Sequence, residues 1–257
     1  MEMMAPEERK QLLTDNVVLL GYRGSVAHGM YLPGTDPNSV DDVDLMAVYM
    51  APVGYYLGLD PLNEGTDRTL NQWDVVRYEF KKFVQLLLNS NPNVLSMLWL
   101  KDEFYLEKHP YGQLLLDNKN WFVSKEAYKP FAGYAAGQLK RMENAACKGY
   151  MGDKRRRLVE KYGYDCKNAA HCLRLLKMCA EFLNTGEMKV FRDEDVSWLL
   201  SVKRGEWALD KVKSEADRLF AAAKTALAKS KLPEKPDYDK VNELVKDVML
   251  HYVNSRR

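Results

Sequence analysis

Apolar and polar positions follow two different regimes along this chain. Up to about residue 125 the apolar residues come in short runs. NVVLLGY (16–22) and VDLMAVYM (43–50) read as buried strands, and the β-branched, aromatic WDVVRYEF (73–80) as a third. Between the first two lie GSVAHG and then PGTDPNS, a cluster of turn formers. KKFVQLLLNSNPNVLSMLWL continues the third strand into helix, interrupted at Asn-Pro-Asn, and PEERKQLLT (6–14) reads as a short helix ahead of the first strand. After residue 125 the spacing settles near 3.6. EAYKPFAGYAAGQLKRMENAAC, KNAAHCLRLLKMCAEFLNTG, DEDVSWLLSVKRG and EADRLFAAAKTALAKS are all helical by this criterion, with Gly186 and the DED before VSWLL as cap signals. SKLPEKPD (230–237) is a proline-containing loop and VNELVKDVMLHYV a final helix. The pattern predicts an α+β chain: a mixed β-sheet domain over residues 1–125, then an all-helical domain over 126–257.

Composition narrows the class. The 257 residues, 46% apolar and 29% charged, are those of a globular protein able to bury a core. No apolar run approaches the ~20 residues needed to cross a bilayer. The start, MEMMAPEERK, is acidic and polar with no apolar signal core, so the expected location is the cytoplasm and no membrane partner is expected. Cys147, Cys166, Cys172 and Cys179 form no CxxC pair and no zinc spacing, which is the usage of reduced, buried cysteines. The net charge of +2 hides an asymmetry. Residues 1–125 hold 11 Lys/Arg against 17 Asp/Glu, and the remainder 27 against 19. An acidic half joined to a basic half points to metal chemistry on one side and a polyanion on the other.

The acidic half concentrates three aspartates, Asp41, Asp42 and Asp44, at the edge of an apolar run. Burying an unpaired carboxylate is costly, so this placement needs a reason. Alternate residues of a strand share a face, which puts Asp42 and Asp44 together and turns Asp41 elsewhere. Two hard oxygen ligands on one face suit Mg²⁺, which takes a few carboxylates plus phosphate oxygens. Gly24-Ser25 fits a turn whose backbone N–H groups and hydroxyl could hold a phosphate. Order and spacing together read as a nucleotide-and-metal site.

This constellation resembles the DNA polymerase β-like nucleotidyltransferase superfamily, in which Gly-Ser and a short helix precede an acid-x-acid pair and a third carboxylate on a later strand. More narrowly, GYRGSVAHG, DVVRYEFKKFVQLLLNSNPNVL, YGYDCKNAAHCLRLLKMCAEFLNTGE, VKRGEW and SKLPEKPD resemble the RNA-ligase-associated nucleotidyltransferase family, from about residue 16 to 250. Asp41 stands where that family usually has serine. The resemblance implies transfer of a nucleoside monophosphate from an NTP to a hydroxyl, assisted by Mg²⁺ (or Mn²⁺). An RNA or tRNA end is the favoured acceptor, a protein or small-molecule hydroxyl is the alternative, and a non-catalytic RNA-binding module of the same fold is the rival of another class. It implies Asp42, Asp44 and a third acid as catalytic and metal-binding residues. Asp74 and Glu79 both lie on WDVVRYEF; Asp74 is preferred because it is nearer the strand's start, and Glu79 falls where strand gives way to helix. The resemblance also implies that Gly24, Ser25 and His28 contact the nucleotide, although a lone histidine also packs or caps.

Lys167, His171 and Arg174 stand at i, i+4 and i+7, hence on one helix face, opposite Ala169, Cys172, Leu173, Leu176, Ala180 and Leu183. By itself this reads as a solvated basic face; with the resemblance it reads as a triphosphate-binding stripe that lets the helical domain complete the nucleotide and acceptor cleft. Tyr162 and Tyr164 could stack on a base or pack. Residues 138–177 carry eleven Lys/Arg against four acids, with Arg155, Arg156 and Arg157 consecutive. Such density fits a nucleic-acid backbone, or plain solvated surface.

Overall fold

The computed structural model of the chain describes residues 16–62, 67–70, 73–143 and 152–256. The expected helix at 6–14, Cys147 and Lys148 lie outside the described residues. The three apolar runs become strands β1 (Val17–Tyr22), β2 (Val43–Tyr49) and β4 (Trp73–Glu79). Two short strands not anticipated from the sequence, β3 (Asp67–Leu70) and β5 (Tyr105–Lys108), close the edges of one mixed sheet of order β3-β4-β2-β1-β5. Four-residue edge strands bury one face at most, so they leave no apolar run to read. β1 pairs antiparallel with both β2 and β5, and all six of its residues are buried. β2 and β4 are parallel, which requires a long crossover; residues 50–72, including the short helix α2 (Val53–Leu57), supply it. The arrangement is α+β with a mixed sheet, the class the sequence predicted.

Helix α1 (Gly24–Ala27) is a single turn directly after β1. Glu79 ends β4 and caps α3 (Phe80–Leu88). Asn91 caps α4 (Pro92–Leu95), with proline at the first helical position where its missing N–H costs nothing. α5 (Pro110–Asp117) packs on β1.

The helical run then comprises α6 (Tyr128–Glu143), α7 (Asp153–Tyr162), α8 (Cys166–Thr185), α9 (Val196–Lys203), α10 (Leu209–Lys229) and α11 (Tyr238–Ser255). Gly186 ends α8 at φ +75°, a conformation glycine adopts without strain. Asp195 stands at the start of α9 but does not cap it: its carboxylate is taken by Arg192 and Lys177.

The chain divides into two units. One comprises Met1–Ala27, Asp42–Val123 and Lys235–Arg257, and the other His28–Asp41 and Ser124–Glu234. Two segments therefore depart from a simple division at 125. α11 belongs with the sheet, where Tyr252 donates to the carbonyl of Ala51 at 3.0 Å and Asp237 N–H to that of Trp121 at 2.8 Å. Residues 28–41 belong with the helices, where Tyr162 donates to Asn38 Oδ1 at 2.7 Å and Lys203 to the carbonyl of Met30 at 2.7 Å. In the helical unit α8 is the centre, packed by α6, α9 and α10 and buried on nearly every side. Cys166, Cys172 and Cys179 are buried free thiols, and burial raises all three thiol pKa values, Cys172 and Cys179 to about 12.

Candidate active site

The sheet unit builds its acidic site from backbone register. β2 and β4 run parallel with Asp44 opposite Asp74, so the two carboxylates leave neighbouring strands on the same face. Asp42 precedes β2 by one residue, shares parity with Asp44 and is exposed. Neither the Asp42 nor the Asp74 carboxylate has a hydrogen-bonding or ion-pairing protein partner among the described residues. Like charges on one face of a sheet repel, and a cation relieves them.

The turn that follows β1 is fitted to this face. Arg23 N–H donates to the carbonyl of Asp44 at 2.9 Å, and its guanidinium lies 3.8 Å from the Asp44 carboxylate. Gly24 sits at φ +60°, and a Cβ added there would stand 2.3 Å from Asp44 Oδ2. Only glycine permits that approach. Ser25 follows on α1.

Glu79 occupies a different environment. It is buried, and its carboxylate accepts from Lys81 N–H and Lys82 N–H, each at 2.9 Å, and from Tyr56 O–H at 2.6 Å. The two N–H bonds are the work of a helix cap. Burial, then the hydrogen bond to Glu79, raises the Tyr56 pKa. Among the described residues no three His, Cys, Asp or Glu side chains converge as a metal cage. A pair of adjacent carboxylates still fits Mg²⁺, which takes the rest of its oxygens from substrate and water.

Asp41 belongs to the helical unit, and its side chain is wholly buried. Its Oδ2 accepts from Leu32 N–H at 2.9 Å and from Lys203 Nζ, and its Oδ1 lies 3.4 Å from Lys167 Nζ. Lys167 also donates to the carbonyl of Val40 at 2.8 Å. Lys203 was not anticipated as a site residue. Its only signal in the sequence was the VKRGEW segment, and its partner is 162 positions away.

The rest of the basic stripe is not a solvated face. Arg174 is 6% exposed and His171 half-buried, with Nε2 buried and unpartnered among the described residues. His28 is buried just past α1, its Nδ1 2.8 Å from the carbonyl of Val190. Burial first, then the charge of Arg174, lowers the pKa of both imidazoles. Tyr164 is buried and donates to the carbonyl of Trp207, which removes it as a stacking platform.

The arginine run divides by contact. Arg155 is committed to the buried Asp165 at the start of α8, through Nε at 3.0 Å and Nη2 at 2.7 Å, and to Asn168 Oδ1 at 2.9 Å. It is therefore a packing residue, contrary to its expected place on a nucleic-acid surface. Arg156 and Arg157 are exposed, with Asp153 3.5 Å from Arg156.

Among the described residues no helix is long and apolar enough to cross a membrane. No curated protein matches the chain. A nucleotidyltransferase-like protein from Exiguobacterium sibiricum is similar in structure at 16% identity, over 85% of this chain and 74% of that one, with a TM-score of 0.33. Over residues 1–247 the chain matches the family model described as the RNA repair pathway DNA polymerase beta family, as its Gly-Ser turn and paired acids led one to expect, and it belongs to that family of nucleotidyltransferases.

Proposed function

We propose that this protein moves a nucleoside monophosphate from an NTP to a hydroxyl acceptor, and that the acceptor is an RNA end. The observation that carries the reading is the register of Asp44 with Asp74 on parallel strands, against a glycine whose positive φ and closeness to the Asp44 carboxylate both exclude a side chain. The adjacent Asp44 and Asp74, joined by Asp42 once a cation draws its exposed carboxylate in, would hold Mg²⁺ or Mn²⁺, which supplies charge neutralisation at the phosphoryl oxygens. The acceptor oxygen forms a bond to the α-phosphorus as the bond to pyrophosphate breaks, and Asp74 takes the hydroxyl proton. Gly24 N–H and Ser25 hydroxyl orient the phosphates. On the helical unit Lys167, His171, Arg174 and His28 contact the triphosphate. Arg174 is the strongest of these because no carboxylate among the described residues competes for it, whereas Lys167 is shared with Asp41.

Labelled NTPs incubated with the protein and Mg²⁺ or Mn²⁺ test the reading, with tRNA, total RNA or no added acceptor. Label is expected on RNA; label on the protein itself would move the acceptor assignment to a protein hydroxyl, and no transfer under any condition would sink the reading. Lys154, Arg156, Arg157 and Lys161 give α7 an exposed basic surface for the RNA backbone. The double variant Arg156→Ala/Arg157→Ala, which spares the packed Arg155, should weaken RNA binding across sequences and lower the slope of affinity against salt by about 2. Its NTP binding should be unchanged, and an unaltered slope would remove RNA from α7.

A further inference from the structure

Three basic side chains of the helical unit, Arg174 and His28 buried and His171 half-buried, are short of partners. Arg174, 6% exposed, donates only to Met178 Sδ at 3.8 Å, and no carboxylate among the described residues pairs with it. A guanidinium so far removed from water is costly without an anion. Three residues earlier on α8, and so on the same face, His171 keeps its buried Nε2 without a hydrogen-bond partner.

His28 adds a tautomeric constraint. The Val190 carbonyl beside its Nδ1 can only accept, so the proton of the neutral ring sits on Nδ1 and the bare lone pair on Nε2. An anion's oxygen, itself an acceptor, cannot bond that lone pair. It can bond His28 only if Nε2 gains a proton. The charges bearing on His28 are those of Arg174, His171 and Arg192; those on His171 are Arg174, Lys167, Arg141 and Arg155. All are cationic or basic, and Arg174 leads both sets. This field and burial hold the rings neutral in the free protein. A dianion seated against Arg174 reverses the local sign.

We propose that His28, His171 and Arg174 form a buried receptor for one phosphoryl group, and that the group enters together with a proton from solvent taken up at His28 Nε2. The proposal deepens the assignment of Arg174 to the triphosphate and rests on it. The one bond formed is Nε2–H, made with the proton that solvent gives up; the ring gains a positive charge, and the oxyanion keeps its own charge and gains an N–H donor. The sign follows directly. The proton is bound in the complex and absent from the free protein, so affinity is highest at low pH and is lost as pH rises through the titration of the occupied site.

Sulfate is the probe, because it mimics a phosphoryl dianion without titrating itself near neutrality. The chain has only four histidines, so NMR of the full chain labelled with ¹³C-histidine follows each ring, with His28→Gln and His171→Gln giving the assignments. Saturating sulfate should raise the His28 titration midpoint by about one pH unit or more. Sulfate affinity should fall by up to about tenfold per pH unit across the same range. Arg174→Gln should abolish both effects and Arg174→Lys, checked for an intact fold by circular dichroism, should retain a reduced shift.

A His28 midpoint that sulfate leaves in place, or that moves no more than those of His109 and His251, overturns the receptor. So does an undiminished shift in Arg174→Gln. The two readings separate cleanly. Nucleotide transfer with an unmoved His28 would discard the receptor and keep the transferase, whereas a sulfate-dependent shift without transfer would do the reverse.

Discussion

Asp44→Asn is expected to reduce nucleotide transfer by about 10³-fold or more, the scale on which losing preorganised charge at a reacting phosphoryl group is felt. The fold should survive, because the Asp44 side chain is 23% exposed and sits at the mouth of β2, not in its apolar interior. Asp42→Asn and Asp74→Asn should act alike, for each removes one of the charges proposed to face a cation. Glu79→Gln supplies the contrast. That carboxylate is spent on two helix N–H groups and the Tyr56 hydroxyl, so its amide should cost about 1–2 kcal/mol of stability while leaving transfer near wild type. The measurement is initial rate at saturating NTP, with thermal melting of each variant. A Glu79 variant that is folded and inactive beside an active Asp74→Asn would relocate the third acid.

The second large effect is on stability. Lys203→Met should destabilise the protein by about 3 kcal/mol, the low end of what removing one partner of a buried pair costs, because the half-exposed Lys167 still stands 3.4 Å from Asp41. Asp41 and Lys203 are both buried from solvent, and burial lowers the Lys203 pKa in spite of its partner. Asp41→Asn should cost a similar amount for the converse reason. The double variant should lose less than the two singles together, since neither charge is then stranded. Urea midpoints of the four proteins measure this cycle. Strict additivity would mean that Asp41 and Lys203 are neighbours without being partners.

Much of the sheet could be read from the chain because its inner strands are short apolar runs bounded by turn formers. β1, β2 and β4 start and stop within about two residues of those runs. The parity that joins Asp42 to Asp44 is local, and local patterns survive folding. Pairing with Asp74 is set by the register of two strands some thirty positions apart, which only the family pattern anticipated. The preference for Asp74 over Glu79 drew on position along one strand, and Glu79 caps the helix that follows. The helical half misled in one respect. A polar stripe opposite an apolar one reads as solvent-facing, but α8 has neighbours on several sides, and Arg174 is packed among them. The Asp41–Lys203 pair was unreadable because nothing in either segment names its partner. Likewise, consecutive arginines look alike in a sequence; one of the three turns inward to Asp165 while the next two stay in water.

The interleaving of the two units bears on how the chain can be made and cut. As a ribosome delivers it, the sheet unit is interrupted after Ala27 by a fourteen-residue excursion, resumes at Asp42, and lacks α11 until every residue of the helical unit has emerged. Neither unit is a contiguous stretch, so no gene fragment encodes one alone. Domains that finish in order of synthesis can settle one after another. Here the unit begun first is completed last, and the strands bearing Asp44 and Asp74 must wait on the nascent chain without the helix whose Tyr252 ties it to Ala51.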